Sequence, residues 1–178
     1  MGNRSEVLNL LAQALDYPRA DLPAKAAALA GLLERDDAVA AGALARFERF
    51  VAGKSLAQME ELYTQSFDMN PGSPLYVGYH LFGETYRRGE MMSALQGAYA
   101  RHALDTHAEL PDHLCQILRW LAQAADDAEC APIMNEYVLP AVQKVADSFR
   151  DDANIYNLVI GAAARAVAQT APSGGPAR

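Results

Sequence analysis

Two cysteines, Cys115 and Cys130, are all that this 178-residue chain offers for disulfides or soft metals, and no Cys-x-x-Cys pair joins them. A disulfide framework and a sequence-local zinc or redox motif are therefore excluded, which suits a reducing cytoplasm. Basic charge is the second deficit. Lys plus Arg is 15 against Asp plus Glu 22, a net charge of -7. Nucleic-acid binding draws its affinity from phosphate neutralisation, so a nucleic-acid partner is disfavoured and cationic partners are favoured. Long apolar runs are missing as well. Stretches such as Ala26 to Leu33 fall well short of the roughly 20 residues that cross a bilayer, and no basic segment followed by an apolar one opens the chain. Direct membrane insertion and export are not expected. A Gly-rich phosphate loop is absent too, since Gly53-Lys54-Ser55 lacks the first glycine of that motif.

No stretch alternates apolar and polar residues with period two, whereas apolar residues recur at helical spacing nearly throughout. The first three helices carry Leu8, Leu11, Ala12 and Leu15, then Leu29, Leu32 and Leu33, then Val39, Ala43, Phe47 and Phe50. Ser55 and Gln58 have capping-box spacing and open a fourth helix with Met59, Leu62 and Tyr63. Asn70-Pro71-Gly72-Ser73-Pro74 breaks the pattern, which resumes from Leu75 to about Tyr99 despite Gly78, Gly83, Gly89 and Gly97. Glycines in such a place serve close packing or a bend. Pro111 should sit in the first turn of the next helix, whose face is Leu114, Ile117, Leu118 and Leu121. Pro132 and Pro140 bracket a shorter element. Pro140 should kink the stripe Val138, Val142, Val145 and Phe149, and a small-residue helix with Ile155, Leu158, Val159, Ala162, Ala163 and Ala166 inward comes last. The expected fold is an all-α single-domain bundle of about eight or nine helices over residues 1–170, with a disordered tail at 171–178.

Candidate chemistry concentrates between Tyr63 and His113, where all four histidines lie. His102, His107, Glu109, Asp112, His113 and Cys115 are ligand types close in sequence. However, the five-residue step from His102 to His107 departs from the i, i+4 pair of helical zinc motifs. Solvated loop histidines are the plainer reading, and no metal or other cofactor is expected. Ser66, Asp68 and His80 contain the elements of a nucleophile, acid and base, but a serine inside a helix lacks the strained elbow that exposes a catalytic hydroxyl. Asp112 and His113, expected in a first helical turn, suit either capping or ligand contact. For Arg88 the plain reading is an ion pair with Glu84 or Glu90, and Tyr63, Phe67, Tyr76 and Met92 serve a core as readily as a binding surface.

Taken in order, Tyr63-x-x-x-Phe67-Asp68, His80, Arg88-Gly89-x-x-Met92, Tyr99 and Glu109-Leu110-Pro111-Asp112-His113-Leu114 resemble the NarJ/TorD family of cytoplasmic chaperones that mature molybdenum-containing oxidoreductases. Phe67-Asp68 with His80 and Arg88-Gly89 leans towards the branch that serves respiratory nitrate reductase. The resemblance implies an all-helical protein without catalysis of its own. Such a protein binds the N-terminal leader and apo form of a molybdoenzyme catalytic subunit, and works beside cofactor-biosynthesis proteins. It also implies that Pro111, Asp112 and His113 border the peptide site, with Arg88 and His80 near it. A leader with basic residues before an apolar segment calls for an apolar groove with acidic groups at its mouth. Tyr63, Phe67, Tyr76, Met92 and Leu114 are the expected wall, and Asp68, Glu84, Glu109 and Asp112 the expected charge. The client is left open among nitrate, selenate, chlorate, dimethyl sulfide and hydrocarbon oxidoreductases. The competing reading is a metal- or nucleotide-dependent helical enzyme built on His80, His102, His107 and His113.

Overall fold

A leucine- and alanine-rich sequence with helical periodicity folds, in a computed structural model, into helices joined by short turns. The structure describes residues 2–69, 75–106, 109–124, 127, 130–149 and 153–170. In chain order the helices are α1 (Gly2–Ala14), α2 (Leu22–Leu33), α3 (Ala38–Ala52), α4 (Leu56–Tyr63), α5 (Val77–Phe82), α6 (Tyr86–Arg101), α7 (Leu114–Ala124), α8 (Ala131–Ile133), α9 (Leu139–Ser148) and α10 (Asn157–Thr170). Because α8 runs into α9 through a π-helical turn, Met134–Val138, the described residues form nine helical segments. The all-α expectation is met. Among the described residues the extended pairing consists of a single bridge, Tyr76 with His113. The break at 70–74 and the tail from 171 lie outside the described residues.

Local chemistry accounts for the helix ends. Ser55 Oγ accepts the Gln58 N–H at 3.3 Å and Gln58 Oε1 accepts the Ser55 N–H at 2.9 Å, so the capping box starts α4 as its spacing predicts. Asp37 caps α3 by accepting the Ala40 N–H at 3.0 Å, and it also receives Arg165 Nε at 2.6 Å and Nη2 at 2.8 Å. That one carboxylate therefore ties the start of α3 to α10. The break expected at Pro140 takes the form of the π turn, in which the Leu139 N–H reaches back five residues to the Met134 carbonyl. A second π turn, Thr64–Asp68, extends α4.

Packing places α1 against α7 and α2, α2 against α3, α3 against α10, and α9 against both α5 and α10. The inward face of α3 is Ala40, Ala41, Leu44, Phe47 and Val51. The expected face is thus corrected by part of a turn, since Val39 and Phe50 are exposed at 69% and 37%. Tyr63 and Phe67 sit in an aromatic cluster. Phe67 lies 4.9 Å from both Tyr63 and Tyr156, and Phe149 and Phe47 close the group. Aromatic contacts of this edge-on kind contribute about 0.5–1.5 kcal/mol each beyond area burial.

The segment from Leu75 to Tyr99 contains α5 and most of α6. Gly83, at φ 62, takes the left-handed conformation that ends α5, so it supplies the bend. Gly78 supplies the close packing, because a Cβ built there would stand 2.7 Å from Asp112 Oδ2 and 3.2 Å from Met91 Sδ. At Gly89 a Cβ would meet nothing within 4 Å.

Candidate functional site

The most constrained part of the molecule is where the residues before α5 meet those before α7. The Val77 N–H donates to the Asp112 carbonyl at 2.9 Å and the Leu114 N–H donates to the Leu75 carbonyl at 2.8 Å, on either side of the Tyr76–His113 bridge. Tyr99 on α6 fastens the same turn by donating its hydroxyl to the Pro111 carbonyl at 2.7 Å. This arrangement corrects the sequence expectation that Pro111, Asp112 and His113 open the helix. They form a turn and a bridge, and α7 begins at Leu114. The His113 carbonyl accepts the first helical amides, from Gln116 at 2.9 Å and Ile117 at 3.2 Å. Its ring Nδ1 accepts the Cys115 N–H at 3.3 Å, so His113 caps the helix with an acceptor that exists only on the neutral imidazole. Burial drives the His113 pKa below its ordinary 6.5, against the opposing pull of Glu109.

Beneath the turn, Asp112 is fully buried, at 0% exposure, and its carboxylate faces Arg88. Arg88 Nε donates to Oδ2 at 2.8 Å and Nη2 approaches Oδ1 at 3.4 Å, while Nη1 donates to Glu84 Oε1 at 2.6 Å. Burial works against the Arg88 charge, yet the hydrogen bonds and charge of Asp112, joined by Glu84, raise its pKa overall. The guanidinium also lies 5.9 Å from the Tyr76 ring and 5.7 Å from the Tyr79 ring. The ion pair expected for Arg88 is therefore made with Glu84, and it is not the whole of its role. Arg88 bonds Glu84 as local spacing allows, and a distant buried carboxylate as well. Asp112, expected among the charges at a groove mouth, is instead an internal anchor whose charge is neutralised by Arg88.

Above the turn, Tyr76 donates its hydroxyl to Glu109 Oε1 at 3.0 Å, and its ring meets that of His113 edge-on at 5.2 Å. Burial, followed by that hydrogen bond, pushes the Tyr76 phenol up to about 12. Glu109 and His113 then open onto a cleft of about 450 Å³ whose remaining walls are Asp16, Arg19, Cys115, Gln116 and Arg119. Asp16 accepts from Arg119 at 2.5 Å. Asp16, Arg19 and Arg119 also border a second cleft of about 190 Å³ that reaches Tyr17, Asp21 and Lys25. Gln116 is 2% exposed; its amide donates to the Thr106 carbonyl at 3.0 Å, and its Oε1 has no hydrogen-bond partner among the described residues.

The expected site residues thus divide. Tyr76, Glu84, Arg88, Glu109, Pro111, Asp112 and His113 are drawn together around one turn. Tyr63, Phe67 and Leu114, expected as groove wall, are core residues, at 7%, 6% and 0% exposure. Met92 and His80 are half-buried on α6 and α5, and Asp68 is exposed at the end of the π turn. His102 stands beside Asp127 and Cys130, apart from the neighbours of His113, and His107 lies outside the described residues. Asp16, Arg19 and Arg119 were not among the expected residues. No local motif marks them, because the cleft arises from α1 packing on α7.

The family described as nitrate reductase delta subunit matches residues 33–149. Two curated relatives, the nitrate reductase molybdenum cofactor assembly chaperones NarJ of Escherichia coli K12 and O157:H7, are each 32% identical over 123 residues, 65% of this chain. The chain spans about half the length of these relatives, 51% in the matched region. A crystal structure of a candidate redox enzyme maturation protein from Archaeoglobus fulgidus superposes with a TM-score of 0.57 at 19% identity, over 90% of this chain and 91% of that one, which shows a shared fold. The resemblance read from the motifs between Tyr63 and Leu114 therefore holds, and the chain belongs to the nitrate reductase delta subunit family, within the NarJ/TorD group.

Proposed function

We propose that this protein is a system-specific chaperone, not an enzyme, that binds the N-terminal leader of a molybdenum-containing oxidoreductase catalytic subunit and holds the apo subunit for cofactor insertion. The cytoplasm is the compartment in which such a step takes place, and no helix among the described residues is long and apolar enough to cross a membrane. The observation that carries the reading is the locked turn at Pro111–His113. Arg88, Tyr99 and the Leu75–Val77 backbone hold it, and it presents Glu109 and His113 at a cleft of about 450 Å³. Pre-formed walls reduce the ordering cost of capturing a flexible peptide.

The cleft suits part of a leader better than the apolar groove expected from the sequence. The half-buried Glu109 carboxylate, whose partner is the neutral Tyr76 hydroxyl, can receive a basic side chain at the cleft. Leu110, 43% exposed next to Glu109, and Tyr17, 50% exposed at the adjoining cleft, provide apolar contact for the hydrophobic segment that follows. Nitrate reductase is the client favoured by the relatives. The test is calorimetric titration with the leader of the molybdoenzyme subunit encoded nearest to this chain. Saturable one-to-one binding, absent for a scrambled peptide and weakened by Glu109→Ala, supports the reading. Equal heats from both peptides would contradict it.

A further inference from the structure

Away from the cleft, two stretches of chain bring a histidine, a carboxylate and a thiol to one point. His102 is the residue that closes α6, where Ala103 at φ 52 turns the chain and the Leu104 N–H reaches back to the Tyr99 carbonyl at 3.0 Å. Asp127 follows α7, and the Cys130 N–H donates to its carbonyl at 3.0 Å, which holds these two residues close together. His102 Nε2 stands 3.4 Å from Asp127 Oδ2 and 3.9 Å from Cys130 Sγ, and the ligand atoms of all three lie within 4.8 Å of one another.

The two histidine separations approach those of a coordination shell, and the Asp127–Cys130 one, within 4.8 Å, has to close on the ion as it binds. Zinc binds histidine nitrogen at about 2.0–2.1 Å, carboxylate oxygen at about 2.0–2.2 Å and thiolate at about 2.3 Å. The edges of a tetrahedron with those arms are about 3.4 Å for nitrogen to oxygen and about 3.6 Å for nitrogen to sulfur. The first matches the His102–Asp127 separation, and a shift of a few tenths of an ångström closes the second. Burial is also graded as such a site requires, with Cys130 at 2% exposure inside and the His102 and Asp127 side chains at 19% and 35% towards solvent, leaving a way in for an ion. We propose that His102 Nε2, an Asp127 carboxylate oxygen and Cys130 Sγ form a zinc site that joins the end of α6 to Asp127 and Cys130, which precede α8, with a fourth position open to water or an external ligand. On binding, the Cys130 thiol releases its proton to solvent and the thiolate, neutral imidazole and carboxylate hold the ion.

The reading is independent of leader capture, and its test does not use a leader peptide. Full-length untagged protein, stripped with a chelator and titrated with Co²⁺, should take up one equivalent and develop thiolate-to-cobalt charge-transfer absorption, which Zn²⁺ then bleaches. Cys115 is 1% exposed and is not among the ligand atoms gathered at His102, so Cys115→Ser should keep the band and Cys130→Ser should abolish it. His102→Ala should weaken Co²⁺ binding by roughly a hundredfold or more, beyond the effect usual for outer-shell partners. X-ray absorption on the zinc-loaded wild type gives a readout that needs no variant: one sulfur and otherwise nitrogen or oxygen neighbours. A shell without sulfur, no charge-transfer band at excess Co²⁺, or a band that survives Cys130→Ser would overturn the proposal.

Discussion

Arg88 and Asp112, 24 residues apart, form an ion pair in which Nε and Oδ2 are 2.8 Å apart and the carboxylate is wholly shielded from water. Through it, a helix that begins at Tyr86 sets the height of the Pro111–His113 turn, and with it the position of Glu109 and His113 at the cleft. Removing Asp112 leaves the buried Arg88 with the solvent-exposed Glu84 as its carboxylate partner, and breaking a buried pair commonly costs about 3–5 kcal/mol. Asp112→Ala should lower the unfolding free energy by that order in urea titrations, and Arg88→Met with Asp112→Leu should recover much of it. Equal stability of Asp112→Ala and wild type would contradict the anchoring role.

Gly78 and Gly89 make opposite predictions from the same substitution. A methyl group at Gly78 meets Asp112 Oδ2 at 2.7 Å, and Arg88 holds that carboxylate in place, so Gly78→Ala should destabilise by about 1–3 kcal/mol. Gly89 lies within α6 facing open space, and Gly89→Ala should stabilise by up to about 1 kcal/mol through helix propensity. Thermal unfolding of the two variants checks both signs.

Stability should fall on mild acidification because of His113. Its folded pKa is depressed below 6.5, chiefly by burial, so the unfolded chain binds the extra proton first. The stabilisation is complete above pH 6.5 and is lost as pH drops from there towards the folded value. Titration of the His113 ring by NMR should show a midpoint below 6.5, and protonation should break the Cys115 N–H bond to Nδ1. A midpoint above 6.5 would contradict this.

A second acid-sensitive step lies lower. Arg165 hydrogen bonds hold the Asp37 carboxyl below its ordinary 3.8, with the opposing effect of burial overcome. Its contribution is present at neutral pH and lost as pH falls from about 3.8 through the folded value. Asp37→Asn should cost about 1–2 kcal/mol at pH 7, where a cap and a charge-assisted bond are both weakened. The difference from wild type should shrink towards pH 3 in denaturant titrations.

Helices declared themselves in the sequence wherever their causes were local. Ser55 and Gln58 predict the start of α4, and Gly83 and Pro140 mark real interruptions. Faces were less legible. Val39 and Phe50 fit the apolar period of α3 but are exposed, because α2 and α10 bury the adjacent stripe. The Pro111-Asp112-His113 turn carries helix-start signals, yet the backbone of Leu75–Val77 captures it. The sequence motifs assemble most of the turn that holds the cleft, but the opposite wall, Asp16 and Arg119, is set by tertiary packing of α1 on α7.

Phe67 and Glu109 separate core from site. Phe67→Ala removes a buried ring from the aromatic cluster and should cost about 3–5 kcal/mol in stability. Glu109→Ala loses a half-buried carboxylate that accepts the Tyr76 hydroxyl, and should shift stability by about 1 kcal/mol.

Leader capture at the Glu109–His113 cleft is tested most directly by calorimetric titration of wild type and Glu109→Ala with the true and scrambled leader peptides, at low and high salt. Micromolar affinity would correspond to about -8 kcal/mol. The account predicts one-to-one binding of the true leader alone, weaker at high salt and at least tenfold weaker in folded Glu109→Ala. Undiminished binding by that variant would place the leader elsewhere on the molecule, and no binding of the true leader would contradict the chaperone reading itself.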